Sequence, residues 1–145
     1  MPSANDLITS YSFSVTLNGL SFSFSKVDNI SSSIDIETIV SGGSNNAPII
    51  LRKPKQNPDV LVLERGIYTS MQDVKLAMFK EGSKISAINI SVLRDGEIVR
   101  MFFIRNGVVI KREFSSLDSM DSSVMIQSMQ IAHTGLTEVP LPFGL

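Results

Sequence analysis

This sequence predicts a mainly β domain with a single helix, and three observations lead there. Two turn dipeptides, Asn18-Gly19 and Asp95-Gly96, each sit between segments of alternating apolar residues. One central stretch, following "PDVLVLERG", has the caps and spacing of a helix, and no other stretch argues for one as well. At 145 residues the chain, 1–145, is one domain, long enough to bury a core of its own.

Residues 11–17 read YSFSVTL and residues 20–25 read LSFSFS, apolar and hydroxyl side chains alternating in both. Asn-Gly is the strongest short hairpin signal, because a type I′ turn needs positive φ at both central residues. A two-residue turn sets Leu17 opposite Leu20, Val15 opposite Phe22 and Phe13 opposite Phe24, all on one face. The same logic at Asp95-Gly96 pairs Arg94 with Glu97, Val92 with Val99, Ile90 with Met101 and Ile88 with Phe103. Asn106-Gly107 follows and offers a further turn or bulge into 108–114.

Residues 30–40, ISSSIDIETIV, read as a strand with Ile30, Ile34, Ile36 and Val40 on one face. Ser31, Ser33, Asp35 and Glu37 then point the other way, which a strand with one face in water explains. Residues 60–63, Val-Leu-Val-Leu, do not alternate, so both faces of that strand are expected to be covered. Thr69 or Ser70 can cap the helix, with Gln72 or Asp73 completing a capping box. Met71, Val74 and Met78 fall on one stripe, and Leu76 and Phe79 to another side. Lys80 suits the C-terminal dipole and Gly82 can end the helix. One helix among many strands suggests a closed or sandwiched β-structure whose helix covers an open edge or end.

Residues 41–59, SGGSNNAPIILRKPKQNPD, are rich in Gly, Asn and Pro yet contain Ile49-Ile50-Leu51. A solvent loop has no need of those three. They tuck into the subunit's own core or add to a neighbour. The tail at 136–145 raises the same question through Val139, Leu141, Phe143 and Leu145.

Charge is nearly balanced, 13 Lys+Arg against 14 Asp+Glu, a formal net charge of -1. No basic excess draws the chain to nucleic acid or anionic membrane. Cysteine is absent, which removes disulfides, thiol catalysis and Cys-based zinc sites together. The N-terminus has no basic n-region or long apolar run, and no stretch approaches the ~18 apolar residues of a membrane span. Charged residues make up 19%, against a typical ~25%. Either that is ordinary variation or much of the surface meets other subunits.

The residues that carry chemistry do not assemble into a catalytic motif. His133 is the only histidine, the side chain whose unperturbed titration lies near neutrality, and no G-x-S-x-G elbow surrounds any serine. A strand-end histidine is the expected reading. Asp35/Glu37 and Asp118/Asp121 are paired carboxylates whose default is a solvated face. One His and no Cys leave only carboxylates for a metal, and no calcium-loop or phosphate-loop pattern is present. Arg52, Lys53 and Lys55 read as a basic loop tip. No catalytic, metal or cofactor residue is expected, and no enzyme.

Two segments resemble the tail tube (inner tube) protein family of contractile phage tails and contractile injection systems. The C-terminal strand is similar to the family's alternating strand closing on Leu-Ala-His-x-Gly, through Val124, Ile126, Ser128, Ile131, Ala132, His133 and Gly135. Gln127 stands where that pattern has Glu. "LVLERGI", ending in Arg65-Gly66 before the helix, resembles the family's strand–helix junction. "IVSGGSNNAPIILRKP" takes the place of its Gly-rich loop without the usual Leu-Pro-Gly, and Phe79 stands for the common helix tryptophan. The resemblance runs from Tyr11 to Leu136.

It implies two packed antiparallel sheets forming a barrel-like core with one flanking helix. It further implies homo-hexameric rings that stack into a hollow tube inside a contractile sheath and meet baseplate proteins. The lumen would carry DNA or protein cargo without specific binding, and the chain would not enter a membrane. The particle would be a virion tail or injection device made in the bacterial cytoplasm. On that reading Ser31, Ser33, Asp35 and Glu37 are lumen candidates, since small hydroxyls and carboxylates do not hold a passing polyanion. Gly42, Gly43, Ile49, Ile50, Leu51, Leu141 and Phe143 are candidates for contact with adjacent subunits. The competing readings are a monomeric β-barrel binding a small apolar ligand and a tube-initiating baseplate relative.

Overall fold

The fold comes from a computed structural model, which describes residues 11–40, 47–67, 71–115 and 125–140. Strands β1 (Tyr11–Leu17) and β2 (Leu20–Phe24) form the first hairpin, in the expected register: Leu17 opposite Leu20, Val15 opposite Phe22, Phe13 opposite Phe24. Asn18 and Gly19 take φ of 48° and 86°, as the turn requires. The asparagine has a second task. Its Oδ1 accepts from the backbone N–H groups of Ser86 (3.0 Å) and Ala87 (3.3 Å), tying the turn to the next strand in the sheet.

The chain continues through β3 (Lys26–Asp28), β4 (Asp35–Ile39), β5 (Ile49–Lys53) and β6 (Asp59–Gly66) to helix α1 (Met71–Leu76). Then come β7 (Lys84–Arg94), β8 (Glu97–Phe114), β9 (Ile126–His133) and β10 (Leu136–Glu138). One eight-stranded sheet runs β2-β1-β7-β8-β9-β6-β3, with β10 also on β8; β4 and β5 form a separate two-stranded sheet. Its pairings are all antiparallel. The two ends of the long sheet, β2 and β3, are consecutive in the chain and separated only by Ser25. The sheet therefore has to wrap around on itself, and Ser25 N donates to Glu64 O (2.9 Å) at the junction.

The expected β-rich, barrel-like core with one flanking helix is present. The described strands form two antiparallel sheets of very unequal size. The core is enclosed by one wrapped sheet, which stops short of a closed barrel, and the second sheet is a small arm rather than the other half of a sandwich. Val15, Leu17, Phe22, Leu61, Ile88, Ile104 and Ile131 fill the interior, none more than 1% exposed.

The second hairpin corrects the expected pairing. Asp95 and Gly96 make the turn with φ of 52° and 82°, and Arg94 does face Glu97. Beyond that the ladder slips, because Leu93 pairs Ile98 while Val92 pairs Arg100, leaving Val99 as an extra residue. Ile90 then faces Phe102 and Ile88 faces Ile104, not Met101 and Phe103. A bulge adds one residue to one strand and so exchanges the faces of everything after it. Both alternating sets of β8 are apolar, so pattern alone could not choose between them. The core chose Ile104.

Asn106-Gly107 makes no turn: β8 runs straight through it for 18 residues. Asn106 has φ 60°, and Gly107 lies where an added Cβ would stand 2.6 Å from Ile131 Cγ2 and 2.9 Å from Ile88 Cδ1. Glycine is needed here for close packing between strands. A second bulge follows, since Val109 pairs Ile131 and Lys111 pairs Gln130, skipping Ile110.

Strand β6 is covered on both faces as expected: Leu61 and Leu63 are buried, Val60 and Val62 half-buried. In α1 the Leu76 side faces the core, and Phe79 meets Phe22 edge-to-face with centroids 6.1 Å apart. The helix ends earlier than expected, at Leu76, and Gly82 N then bonds Val109 O at 2.7 Å. Thr69 and Ser70, the expected caps, lie outside the described residues.

Candidate assembly surface

Strands β4 and β5 form an arm that the core does not cover. Asp35 pairs Lys53, Glu37 pairs Leu51 and Ile39 pairs Ile49 on one face; Ile36 pairs Arg52 and Thr38 pairs Ile50 on the other. Both faces carry apolar side chains in the open, with Ile50 65%, Ile49 52%, Ile36 50% and Leu51 42% exposed. A two-stranded ribbon is marginal in water by itself. These residues form no part of the core cluster.

The base of the arm is pinned by polar contacts. Lys55 Nζ donates to Ser33 Oγ (2.6 Å) and pairs with Asp59 Oδ2 (3.4 Å). Ser33 Oγ also reaches the Asp59 carboxylate at 3.3 Å, and Gln56 N donates to Asp35 Oδ2. A fixed stem with an apolar blade is suited to reaching out of the subunit.

The predicted positions divide accordingly. Ile49, Ile50 and Leu51 stand together on β5, exposed as an interface would need. Gly42, Gly43, Leu141 and Phe143 lie outside the described residues, as do Asp118 and Asp121. The strand expected over 30–40 is shorter, 35–39 only. Asp35 and Glu37 share a face of β4, but Ser31 and Ser33 precede it, Ser31 bonding Asn29 and Ser33 the arm's base. The four do not form one continuous polar strand face. Local hydrogen bonds to Asn29 and Asp59 draw the serines out of the extended pattern.

A second uncovered apolar surface was legible as a stripe but not as a surface. Met71, Val74 and Met78 are 70%, 61% and 72% exposed. Helical spacing reads the same whether a stripe faces its own core or open space.

A third feature, unseen in the sequence, is a polar cluster under α1. Arg65, only 5% exposed, pairs with Asp73 Oδ1 (3.4 Å) and donates from Nη1 to Gln72 Oε1 (2.9 Å). Gln72 Oε1 also accepts from Ser23 N at 3.1 Å. Gln127 bridges Asp73 and Arg112. Burial of a guanidinium is tolerable only with such partners. The cluster fixes the helix onto β2, β6, β8 and β9.

His133 closes β9, as expected for a strand-end histidine, and is 2% exposed. Neither ring nitrogen has a hydrogen-bond partner among the described residues. Burial pushes its pKa below the ordinary 6.5, helped by Lys55 and opposed by the Asp59 carboxylate and by the Gly135 backbone beside the ring. It bonds no serine. Among the described residues no three His, Asp or Glu side chains gather as metal ligands would, and no helix is long and apolar enough to cross a membrane.

The family profile described as T4-like virus tail tube protein gp19 matches residues 9–137. The chain belongs to that tail tube family. It is a structural inner tube subunit, a component of a virion tail or injection particle, and its family is structural rather than catalytic. Solved structures share the fold at low identity. The chain is similar to a protein in the PVC sheath-tube complex of an extracellular contractile injection system in the extended state: TM-score 0.76, 15% identity, 95% of both chains covered. It is similar to one in the tube-terminating cap of the anti-feeding prophage, with TM-score 0.72, 16% identity, and 97% and 96% covered. Hcp1 from Flavobacterium johnsoniae matches with TM-score 0.52, 10% identity, and 88% and 94% covered. Curated protein sequences yield no match.

Proposed function

We propose that the tube subunit polymerises as stacked homo-hexameric rings into a hollow conduit, enclosed by a contractile sheath and founded on a baseplate. The conduit carries DNA or protein cargo without binding it specifically, and the subunit is made in the bacterial cytoplasm. The observation that carries this is the β4–β5 arm. Its exposed Ile36, Ile49, Ile50 and Leu51 need an apolar cover that the subunit's own core does not supply. A neighbouring copy is the partner always present at high local concentration, and a repeating head-to-tail contact propagates into rings and stacks. The Met71–Val74–Met78 stripe is a second surface for neighbours or sheath.

The small-ligand barrel reading lacks room. Leu17, Phe22, Ile88, Ile104 and Ile131 occupy the interior that a ligand would need. Negative-stain microscopy and sedimentation of the concentrated, purified chain test the proposal. Rings or tubes of uniform width are expected; a strictly monomeric species at high concentration overturns it.

A further inference from the structure

The outer face of three adjacent strands is covered by hydroxyl and amide side chains in register. One rung across β2, β1 and β7 is Ser23–Ser14–Ser91, and the next is Ser21–Thr16–Asn89. Thr16 Oγ1 and Ser21 Oγ lie 3.1 Å apart within the second rung. The opposite faces of these strands supply core residues Val15, Phe22 and Ile90. Neither rung carries a charge or a large apolar group. Toward β8 the face changes character, where Phe103 pairs Asn89 and Met101 pairs Ser91.

Such a face fits neither ordinary role of an exterior. Free surfaces mix charges of both signs to keep copies apart, as this chain does at exposed Lys111 and Glu113 on β8. Protein-binding faces place apolar or aromatic anchors at their centre. A channel wall has a different requirement. Any charge on it repeats in every subunit, so the fields sum around each ring and along the bore. A basic wall would hold a polyanion by counterion release, and an acidic wall would hold basic polymers. Short hydroxyls keep the wall wet, leave no summed field and present no long side chain to a moving polymer.

We propose that the β2–β1–β7 hydroxyl face is the luminal wall of the tube, facing water and cargo. This rests on the tube reading above, and it moves the wall away from Ser31, Ser33, Asp35 and Glu37.

The chain contains no cysteine, so Ser14→Cys places one near-isosteric thiol at the centre of the face, and Ser91→Cys supplies a second, independent position. Assembled tubes are treated with a small maleimide and, separately, with maleimide-coated gold particles wider than the tube. The small reagent is expected to label both variants, while labelling by the particles falls to background and returns when tubes are dissociated. Particle labelling of intact tubes would put the face outside. Protection from both reagents, or failure of both variants to assemble where the unsubstituted chain does, would put it in a subunit contact. Each of these overturns the proposal. If the unsubstituted chain forms no tubes, the tube reading itself fails, a separate outcome.

Discussion

The Gln127 amide nitrogen donates to Asp73 Oδ1 at 2.9 Å, while its carbonyl oxygen accepts from Arg112 Nη2 at 3.1 Å. Only an amide of this length serves both neighbours, since a carboxylate can accept from the arginine but has no proton for the aspartate. Gln127→Glu gains an ion pair with half-exposed Arg112, worth little. It sets two carboxylates against each other beside a buried helix contact. We expect a loss of about 1–3 kcal/mol in unfolding free energy, the range for an unsatisfied or opposed buried polar group. Urea denaturation measures it. Adding Asp73→Asn should recover much of the loss, and an unchanged midpoint in the single variant would show that the amide proton is dispensable.

Gly107→Ala tests the close approach of β8 to its neighbours. The new methyl would meet Ile131 Cγ2 and Ile88 Cδ1, both closer than 3.0 Å. Overpacking of this kind costs about 1–3 kcal/mol, read as a lowered melting temperature. At Gly19, with open space around it and φ 86°, Ala costs only the left-handed strain, about 1–2 kcal/mol. Equal, small losses at both glycines would mean that the β8 contact relaxes freely.

Buried His133 makes folding sensitive to acid. Its folded pKa lies below 6.5 because burial disfavours the charged ring. The unfolded chain therefore binds a proton that the folded one refuses. Stability is fully present above about 6.5 and is lost as pH falls through that value toward the folded pKa, below which the loss stops growing. His133→Gln should flatten this part of the profile between pH 7.5 and 5. A wild-type profile no steeper than the variant's would show that the histidine charges without cost.

Ile50→Asp places a charge on the most exposed apolar position of β5. The fold should be unaffected, within about 0.5 kcal/mol as for other exposed sites. Assembly should fail, because a buried interfacial charge without a partner is strongly unfavourable. Sedimentation and melting are measured on the same sample. Normal tubes from this variant would remove the arm from the contact.

Much of the fold is local in origin and was legible as such. Asn18-Gly19 and Asp95-Gly96 demand positive φ, and the residues beside them alternate, so hairpins and inward faces followed directly. The helix was legible through Leu76 and Phe79, and the arm's importance through three apolar residues in a polar loop. Along β8 the sequence offered two equally apolar faces and a turn dipeptide that makes no turn. Ser31 and Ser33 matched a strand pattern that Asn29 and Asp59 then interrupted.

What the chain determined by itself is therefore everything set by near neighbours: turn positions, the first register, the single helix and the absence of thiol chemistry. The wrapped sheet, the slip at Val99, the cluster joining Arg65 to Gln127 and the exposure of the arm and the Met71 stripe were decided by tertiary structure. The physical reason is that an apolar side chain or a buried amide acquires its role from what packs opposite it. For Gly107 and Gln127 those partners, Ile131 and Asp73, are distant in sequence and meet them only once β9 has paired with β8 and the helix has docked.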